Sequence, residues 1–326
     1  MRAMRALRIA LGFAVVQVAI FAGEQANAQY PSKPVRIVVP ASPGGGSDLV
    51  ARIVSPALSA ELGQPFVVEN RVTSGGIVGT QQVAEAAPDG QTLLVTFDTF
   101  AVNPFVFKNL KWDPVRDFAP VMQLCRFPQV LVVHPSLGVQ TVGEFVALAK
   151  QKGASLNYGS AGPASSSRLA YELFKDTAGI ETVPIHYRGG GPAMQDLIGG
   201  QVQVMLIQGG GAISQHIKAG KLTALAVSTA ERSKFYPDLP AIAETYPGFD
   251  SESWVAMFAP AGTPKAIIEK IGSVLSKAYA DPKVKERFDS QNCDFVGGDA
   301  EHLARLVRQE QAKWGKIIRE KNITVD

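Results

Sequence analysis

Between Val35 and Val54 the chain reads VRIVVPASPGGGSDLVARIV, a β-branched run, a loop with three consecutive glycines and an apolar-periodic helix opening at Ser47-Asp48. This strand–loop–helix unit limits the fold most, because the same alternation continues through the sequence. Strand-like runs follow at PFVVEN (Pro65–Asn70), TLLVTF (Thr92–Phe97), VLVVHP (Val130–Pro135), LNYGS from Leu156, TVPIHY from Thr182, VQVMLI from Val202, LTALAVS from Leu222 and SWVAMFAP (Ser253–Pro260). Helical patterns fall between them, at 75–87, 142–152, 166–178, 191–198 and 211–219. Such alternation predicts an α/β architecture with parallel strands. In the first helix Leu49, Ile53, Ala57, Leu58 and Leu62 are expected to form one apolar stripe against the sheet. Three capped helices close the chain, opening at Thr263-Pro264, Asp281-Pro282 and Asp299.

The chain has 326 residues, beyond the usual size of one domain, so two domains are expected. Arg2, Arg5 and Arg8 precede an apolar run from Ile9 to Ala22, and Ala26-Asn27-Ala28 forms a small-x-small cleavage site. Residues 1–28 therefore read as a secretory signal peptide, which predicts export. Only one acidic residue leaves with the leader's three arginines, so the formal charge falls from +3 to near neutrality. A nearly neutral chain lacks the basic excess that phosphate backbones demand, and nucleic acid is excluded as a partner. Cys125 and Cys293 match no zinc or redox spacing, and the sequence leaves open whether they pair. His134, His186, His216 and His302 lie singly, so no metal site and no cofactor are expected.

Two loops carry the chemistry. Helix N-termini leave unpaired N–H groups with partial positive charge, which stabilise an anion without any lysine or arginine. In the first loop Gly44, Gly45 and Gly46 allow close backbone approach, with Ser42 and Ser47 adding hydroxyls. In the second, Ser160, Ala161 and Gly162 lead into Ser165, Ser166 and Ser167. Facing each other across a cleft, they would grip one carboxylate from both sides. A phosphate loop would need a lysine where Ser47-Asp48 stand. A nucleophile elbow would need glycine where Tyr158 opens YGSAG. A secreted α/β hydrolase using a Ser-rich loop is the alternative reading.

The segments YPSKPVRIVVPASPGGGSDLVARIV, VVENR (Val67–Arg71), APDGQTLL (Ala87–Leu94), DPVRDFAPV (Asp113–Val121), NYGSAGPASSSRLAYELF, DLIGGQVQVM and FAPAGTP resemble the Bug family of extracytoplasmic solute receptors. These are also called TctC proteins, the receptors of tripartite tricarboxylate transporters. The resemblance runs in order over nearly the whole chain after the leader. It implies a two-lobed periplasmic-binding-protein fold, type II-like, with two sheets flanked by helices and hinge strands between lobes. It implies domain 1 from 29–128 plus 256–326 and domain 2 from 129–255, binding rather than catalysis, and a monomer in the periplasm. The implied partners are a small-molecule carboxylate and the membrane subunits of the transporter. Carried onto this chain, the ligand loops are Ala41, Ser42, Pro43, Gly44, Gly45, Gly46 and Ser47, and Ser160, Ala161, Gly162, Ser165 and Ser166.

Departures from the family pattern bear on the ligand. Acidic positions after GGQV are replaced by Gln203 and the pair Ile207-Gln208, which disfavours an ammonium-bearing ligand, since a buried cation needs a charged partner. A histidine after the serine cluster is Arg168 here, and a small polar run is replaced by Phe97, Asp98, Thr99 and Phe100. Asp98, Thr99 and Gln208 are expected in the pocket. Arg126 has two readings, an interdomain salt bridge or a bidentate clamp for a second ligand carboxylate. With Phe97, Phe100 and Phe127 near the same mouth, the expected ligand is an aromatic or apolar mono- or dicarboxylate.

Overall fold

The strand of the opening motif, β1 (Val35–Val39), pairs in parallel with β2 (Phe66–Asn70) and with β3 (Thr92–Phe97). Successive side chains of a strand point to opposite faces. Val35, Ile37 and Val39 accordingly enter one apolar cluster with Leu93 and Val95, while Val38 and Leu94 enter another. Both faces of the sheet are covered, which is why its strands read as near-continuous apolar runs. The computed structural model describes residues 30–72 and 76–325; the expected leader lies outside the described residues. No helix among them is long and apolar enough to cross a membrane.

Three further strands complete the first sheet: β9 (Glu252–Pro260) beside β3, then β4 (Phe118–Val133), then β10 (Asp294–Gly297), each antiparallel to its neighbour. The long strand β4 does not stay in one sheet. From Phe118 to Pro128 it pairs with β9, and from Gln129 to Val133 it lies between β7 (Val204–Gln208) and β8 (Thr223–Val227) of a second sheet. There β5 (Asn157–Ser160) follows β7, and β6 (Val183–His186) forms the edge. Leu131 and Val133 pack on one face of this sheet, Val130 and Val132 on the other. The fold is thus α/β in two lobes, each a sheet between apolar layers. The sequence pattern marks only the Val130–Pro135 half of β4. Pro120, Arg126 and Pro128 interrupt the earlier half, which is a strand because β9 pairs along it.

The return crossing is stitched by serines. Ser228 N donates to Gln129 O at 2.8 Å, Gln129 N donates to the Ser228 hydroxyl at 3.0 Å, and Ser251 N donates to Ser228 O at 2.8 Å. The chain re-enters the first sheet at Glu252.

Eleven helices flank the sheets in the described residues: α1 (Gly46–Leu62), α2 (Ile77–Ala84), α3 (Thr99–Val106), α4 (Val142–Lys152), α5 (Ser166–Ala178), α6 (Gly190–Ile198), α7 (Gly211–Lys218), α8 (Ile242–Thr245), α9 (Lys265–Tyr279), α10 (Pro282–Asp289) and α11 (Ala300–Glu320). In α1 the buried stripe is Val50, Ala51, Ile53, Val54, Leu58 and Leu62, with Leu49 and Ala57 half-buried at its edges. Gly63, at φ 73°, ends the helix in the left-handed conformation. Pro56 lacks the N–H that would reach Arg52 O. Arg287 supplies the substitute, its Nη2 donating to that carbonyl at 3.3 Å.

Two expected helix starts move. α2 is shorter than the span 75–87, and Gly75 lies outside the described residues. The helix expected to be capped by Thr263 begins at Lys265, because the Thr263 hydroxyl turns back to Pro260 O at 2.8 Å and leaves Pro264 at the cap. Asp281 and Asp299 cap α10 and α11 through their side chains as their sequence positions suggest. The two cysteines form a disulfide with Cα atoms 5.7 Å apart, tying β10 to β4 across a sequence separation of 168.

Candidate functional site

The helices divide by how their N-termini are capped. α4, α5, α10 and α11 carry Thr141, Ser165, Asp281 and Asp299 at the cap, each with a side chain accepting a first-turn N–H. α1, α2, α6 and α7 carry Gly45, Gly76, Gly189 and Gly210, none with a side-chain cap. Three of these ends border the cleft between the lobes or a recess beside it, α1 through Ser47, α2 through Gly76 and α6 through Gly189. Gly76 lines a recess of about 160 Å³ with Ala41 and Ser47; Gly189 lines a cleft of about 550 Å³ with Ala161, Gly162 and Ser165. Thr99 and Asn103 of α3 border both spaces and join them. A β-carbon built on Gly46 would lie 3.8 Å from Gln208 Nε2, so the first turn of α1 meets the end of β7, directly before α7.

In the first loop the glycine N–H groups are not all free. Gly44 N donates to Asp48 Oδ2 at 2.8 Å and Gly45 N to Ser42 O at 3.0 Å. Asp48 also receives Arg52 Nε at 3.0 Å and Asn70 Nδ2 at 2.9 Å. Burial alone would raise its carboxyl, but the bonds from Arg52, Gly44 and Asn70 hold it below the ordinary carboxylate range. Asp48 therefore shapes the loop from beneath. The first backbone bond of α1 runs from Leu49 N to Gly45 O at 2.9 Å, so the N–H groups of Gly46, Ser47 and Asp48 precede the helical ladder. The Ser47 hydroxyl is buried, and neither it nor Gln208 Nε2 has a partner among the described residues. Ser42, Pro43 and Gly44 are exposed at the loop tip.

In the second loop most hydroxyls serve the loop. Ser165 Oγ donates to Gly162 O at 2.7 Å and accepts Arg168 N at 3.3 Å, while Ser167 Oγ takes Ala161 N at 3.0 Å. Ser160 Oγ is fully buried between Gly162 O and His186 Nδ1, at 3.2 and 2.7 Å. The Ser160–His186 contact is the nearest approach to a hydrolase constellation, and it fails as one. The hydroxyl is sealed from solvent, and no carboxylate bonds His186 among the described residues. Among these residues no group of three or more His, Cys, Asp or Glu is placed to hold a metal ion.

Several expected site residues stand elsewhere. Arg126 is held by two carboxylates, Glu252 and Asp294, each at 3.3 Å, and lines a separate groove of about 490 Å³ with Lys234 and Phe235. Burial works against its charge, and the two carboxylates more than offset that. Of the two readings of Arg126, these contacts are those of the salt bridge. The same network spans the lobes, since Lys234 of the second pairs with Asp289 and Asp294 of the first, and Asn292 Nδ2 donates to Tyr236 Oη at 3.2 Å. Asp98 and Ser166 line a small cavity at the hinge, with Thr99 reaching both it and the cleft. Phe100 is core, stacked 5.3 Å from Trp112 and tilted against Phe258 at 4.5 Å, so it is no part of a mouth. Phe97 does line the recess, 6.3 Å from Phe127.

Asn103, Phe107, Tyr187, Arg188 and Thr80 border the cleft without a sequence signal that marked them. The glycines at 76, 189 and 210 had one, each standing directly before an apolar-periodic run.

Residues 50–323 match the family model described as the tripartite tricarboxylate transporter family receptor. A relative from Pseudomonas sp. (strain P51), the UPF0065 protein of the tcbD-tcbE intergenic region, is 35% identical over 95% of this chain and 93% of its own. Protein BugT of Bordetella pertussis is 32% identical over 97% of this chain and 98% of its own. Among solved structures, an R. palustris protein with adipate superposes with a TM-score of 0.82 at 31% identity, covering 91% of this chain and all of that one. MatC from Rhodopseudomonas palustris with bound malate gives 0.77 at 31%, covering 89% and 100%. The two solved relatives hold small carboxylates and the matched family is one of receptors, which agrees with a cleft that offers hydrogen-bond donors. The chain belongs to the tripartite tricarboxylate transporter receptor family, the Bug or TctC solute-binding proteins.

Proposed function

We propose that this receptor captures a small carboxylate in the cleft between its lobes and passes it to the membrane subunits of a tripartite tricarboxylate transporter, working as a periplasmic monomer. The observation that carries the reading is the cleft between the lobes at the glycine-led end of α6, with the recess that shares Thr99 and Asn103 with it lying at the uncapped, glycine-led N-termini of α1 and α2. Their N–H groups and the unpartnered hydroxyl of Ser47 favour an anion. Within the site, Ala41, Gly46, Ser47 and Gln208 would hold it from one side, and Ala161, Gly162 and Ser165 from the other. The lobes that close are 29–128 with 256–326, and 129–255.

The walls support an apolar or aromatic mono- or dicarboxylate. Phe97 borders the recess, and Phe107, Tyr187 and Val325 border the cleft, with no carboxylate lining either among the described residues. An ammonium group would find no counter-charge there. The solved relatives bound to adipate and malate agree with a carboxylate ligand.

The test is a thermal-shift screen over aliphatic, hydroxy, aromatic and amino carboxylates, followed by calorimetry and a check for turnover. A binder is stabilised by mass action and consumes nothing. Stabilisation by non-amino carboxylates is expected. No response to any carboxylate, or a response confined to amino acids, would overturn the reading.

A further inference from the structure

At the hinge the chain forms a cavity of about 10 Å³, room for one water molecule, between Asp98 at the head of α3, Gln129 of β4, Ser251 on the return crossing, Ser166 of α5, and Glu310 and Trp314 of α11. Its walls come from both lobes: Leu169 of α5 packs into the apolar cluster that holds Val102 and Trp314 of the first. Gln129, Ser251 and Asp98 are 1%, 0% and 5% exposed. Asp98 Oδ1, both polar atoms of the Gln129 side chain and Ser251 Oγ have no partner among the described residues. An unmatched buried polar atom costs about 1–3 kcal/mol, and four at one water-sized space call for a shared partner.

The charges around the cavity are nearly all of one sign. Glu310 faces Asp98 from α11. Glu252 lines the cavity but is held by Arg126, and the Lys313 ammonium, near Glu310, donates to Asp250 O. From α5 only Ser166 and Leu169 reach the space. Asp98 takes the Ser253 hydroxyl and meets no cation among the described residues. Of two neighbouring buried carboxyls, Glu310 has the Lys313 ammonium nearby and Asp98 has none, so Asp98 is the one that holds the proton.

We propose that this cavity binds one water and one proton, the proton residing on Asp98, and that its uptake couples the packing of α5 against α3 and α11, and with it the angle between the lobes, to pH. The protonated carboxyl donates into the cavity, toward Gln129 Oε1 or the water, and the water satisfies Ser251 and the remaining amide. Burial first, then the charge of Glu310, push the Asp98 carboxyl up to about 7, and burial raises Glu310 as well. A raised carboxyl favours the described packing below that pH. Above it, ionised Asp98 favours an arrangement that admits more water between the lobes.

The device does not depend on which ligand is bound, so it is tested on ligand-free full-length protein with its disulfide intact. Nitroxide labels on Val67→Cys in the first lobe and Ile185→Cys in the second, both exposed positions, report the interlobe distance by pulsed electron resonance from pH 5.5 to 8.5. The wild-type distribution is expected to change with a midpoint near 7. Asp98→Asn should hold the acid-side distribution at every pH, and Glu310→Gln should move the midpoint downward. If Asp98→Asn does not fold, the Glu310→Gln shift decides. A pH-independent wild-type distribution, or an unchanged midpoint in Glu310→Gln, overturns the proton site. A crystal structure with no density for water in the cavity overturns the hydration site.

Discussion

The first turn of α1 and the end of β7 meet where a β-carbon on Gly46 would stand 3.8 Å from the amide nitrogen of Gln208. That contact joins the lobes at the proposed anion site, and it locates the substitutions that should separate binding from folding.

Gly45→Asp puts a carboxylate at the N-cap of α1. Aspartate is a preferred N-cap residue, which should offset the tight approach of its β-carbon to Ser42 O, 3.1 Å away, and leave thermal stability close to wild type. A like charge beside a bound carboxylate should lower affinity at least tenfold, or about 1.4 kcal/mol. Calorimetry with whichever carboxylate stabilises the wild type checks both halves; retained affinity removes this loop from the site.

Ser47→Ala removes a buried hydroxyl that has no protein partner. Stability should stay within about 0.5 kcal/mol. Affinity should fall about three- to tenfold, the worth of one hydrogen bond. Equal affinity in the variant would show that the hydroxyl does not touch the ligand.

Arg126→Ala should leave carboxylate affinity unchanged, because the guanidinium serves Glu252 and Asp294 outside the cleft. The guanidinium is about half exposed, so screening limits the stability loss to about 0–1 kcal/mol. Weakened dicarboxylate binding would restore the clamp.

Asp48→Ala removes the buried acceptor shared by Gly44 N, Arg52 Nε and Asn70 Nδ2, and losing those bonds should cost about 1–3 kcal/mol by denaturant unfolding. The pH sign follows from the lowered carboxyl. Its stabilisation is present above the unfolded carboxylate range near pH 4 and is lost as pH falls through the lower folded value. Wild type should lose that increment under acid, whereas Asp48→Ala, having none, should show a flatter acid limb.

Cys125→Ser with Cys293→Ser should lower stability by about 2–5 kcal/mol, since the bridge closes a long loop. Denaturant midpoints with and without reductant test this in the wild type; coincident curves would refute it.

Much of the architecture was legible because parallel α/β strands announce themselves as apolar runs between periodic helices, and β1, β3, α4 and α5 stand where those runs predict. What stayed hidden depended on distant partners. The Phe118–Pro128 half of β4 is made a strand by β9, and Pro120 and Pro128 conceal it locally. Both Ser-rich and Gly-rich loops could be read as helix starts, but the sequence could not say which hydroxyls their own loops would claim. Ser160 and Ser165 are claimed, while Ser47 is not. Arg126 looked orphaned in an apolar stretch because Asp294 lies 168 residues away in sequence.

The glycine-led helix ends have a consequence for how such a receptor changes ligand. A grip made from peptide N–H groups is invisible to most side-chain substitutions, because every residue except proline presents the same donor. Retuning then falls to the bordering positions, Phe97, Asn103, Phe107, Tyr187 and Arg188. Selection or an engineer can redraw that border for a longer, shorter or bulkier molecule while the means of holding its carboxylate is inherited intact.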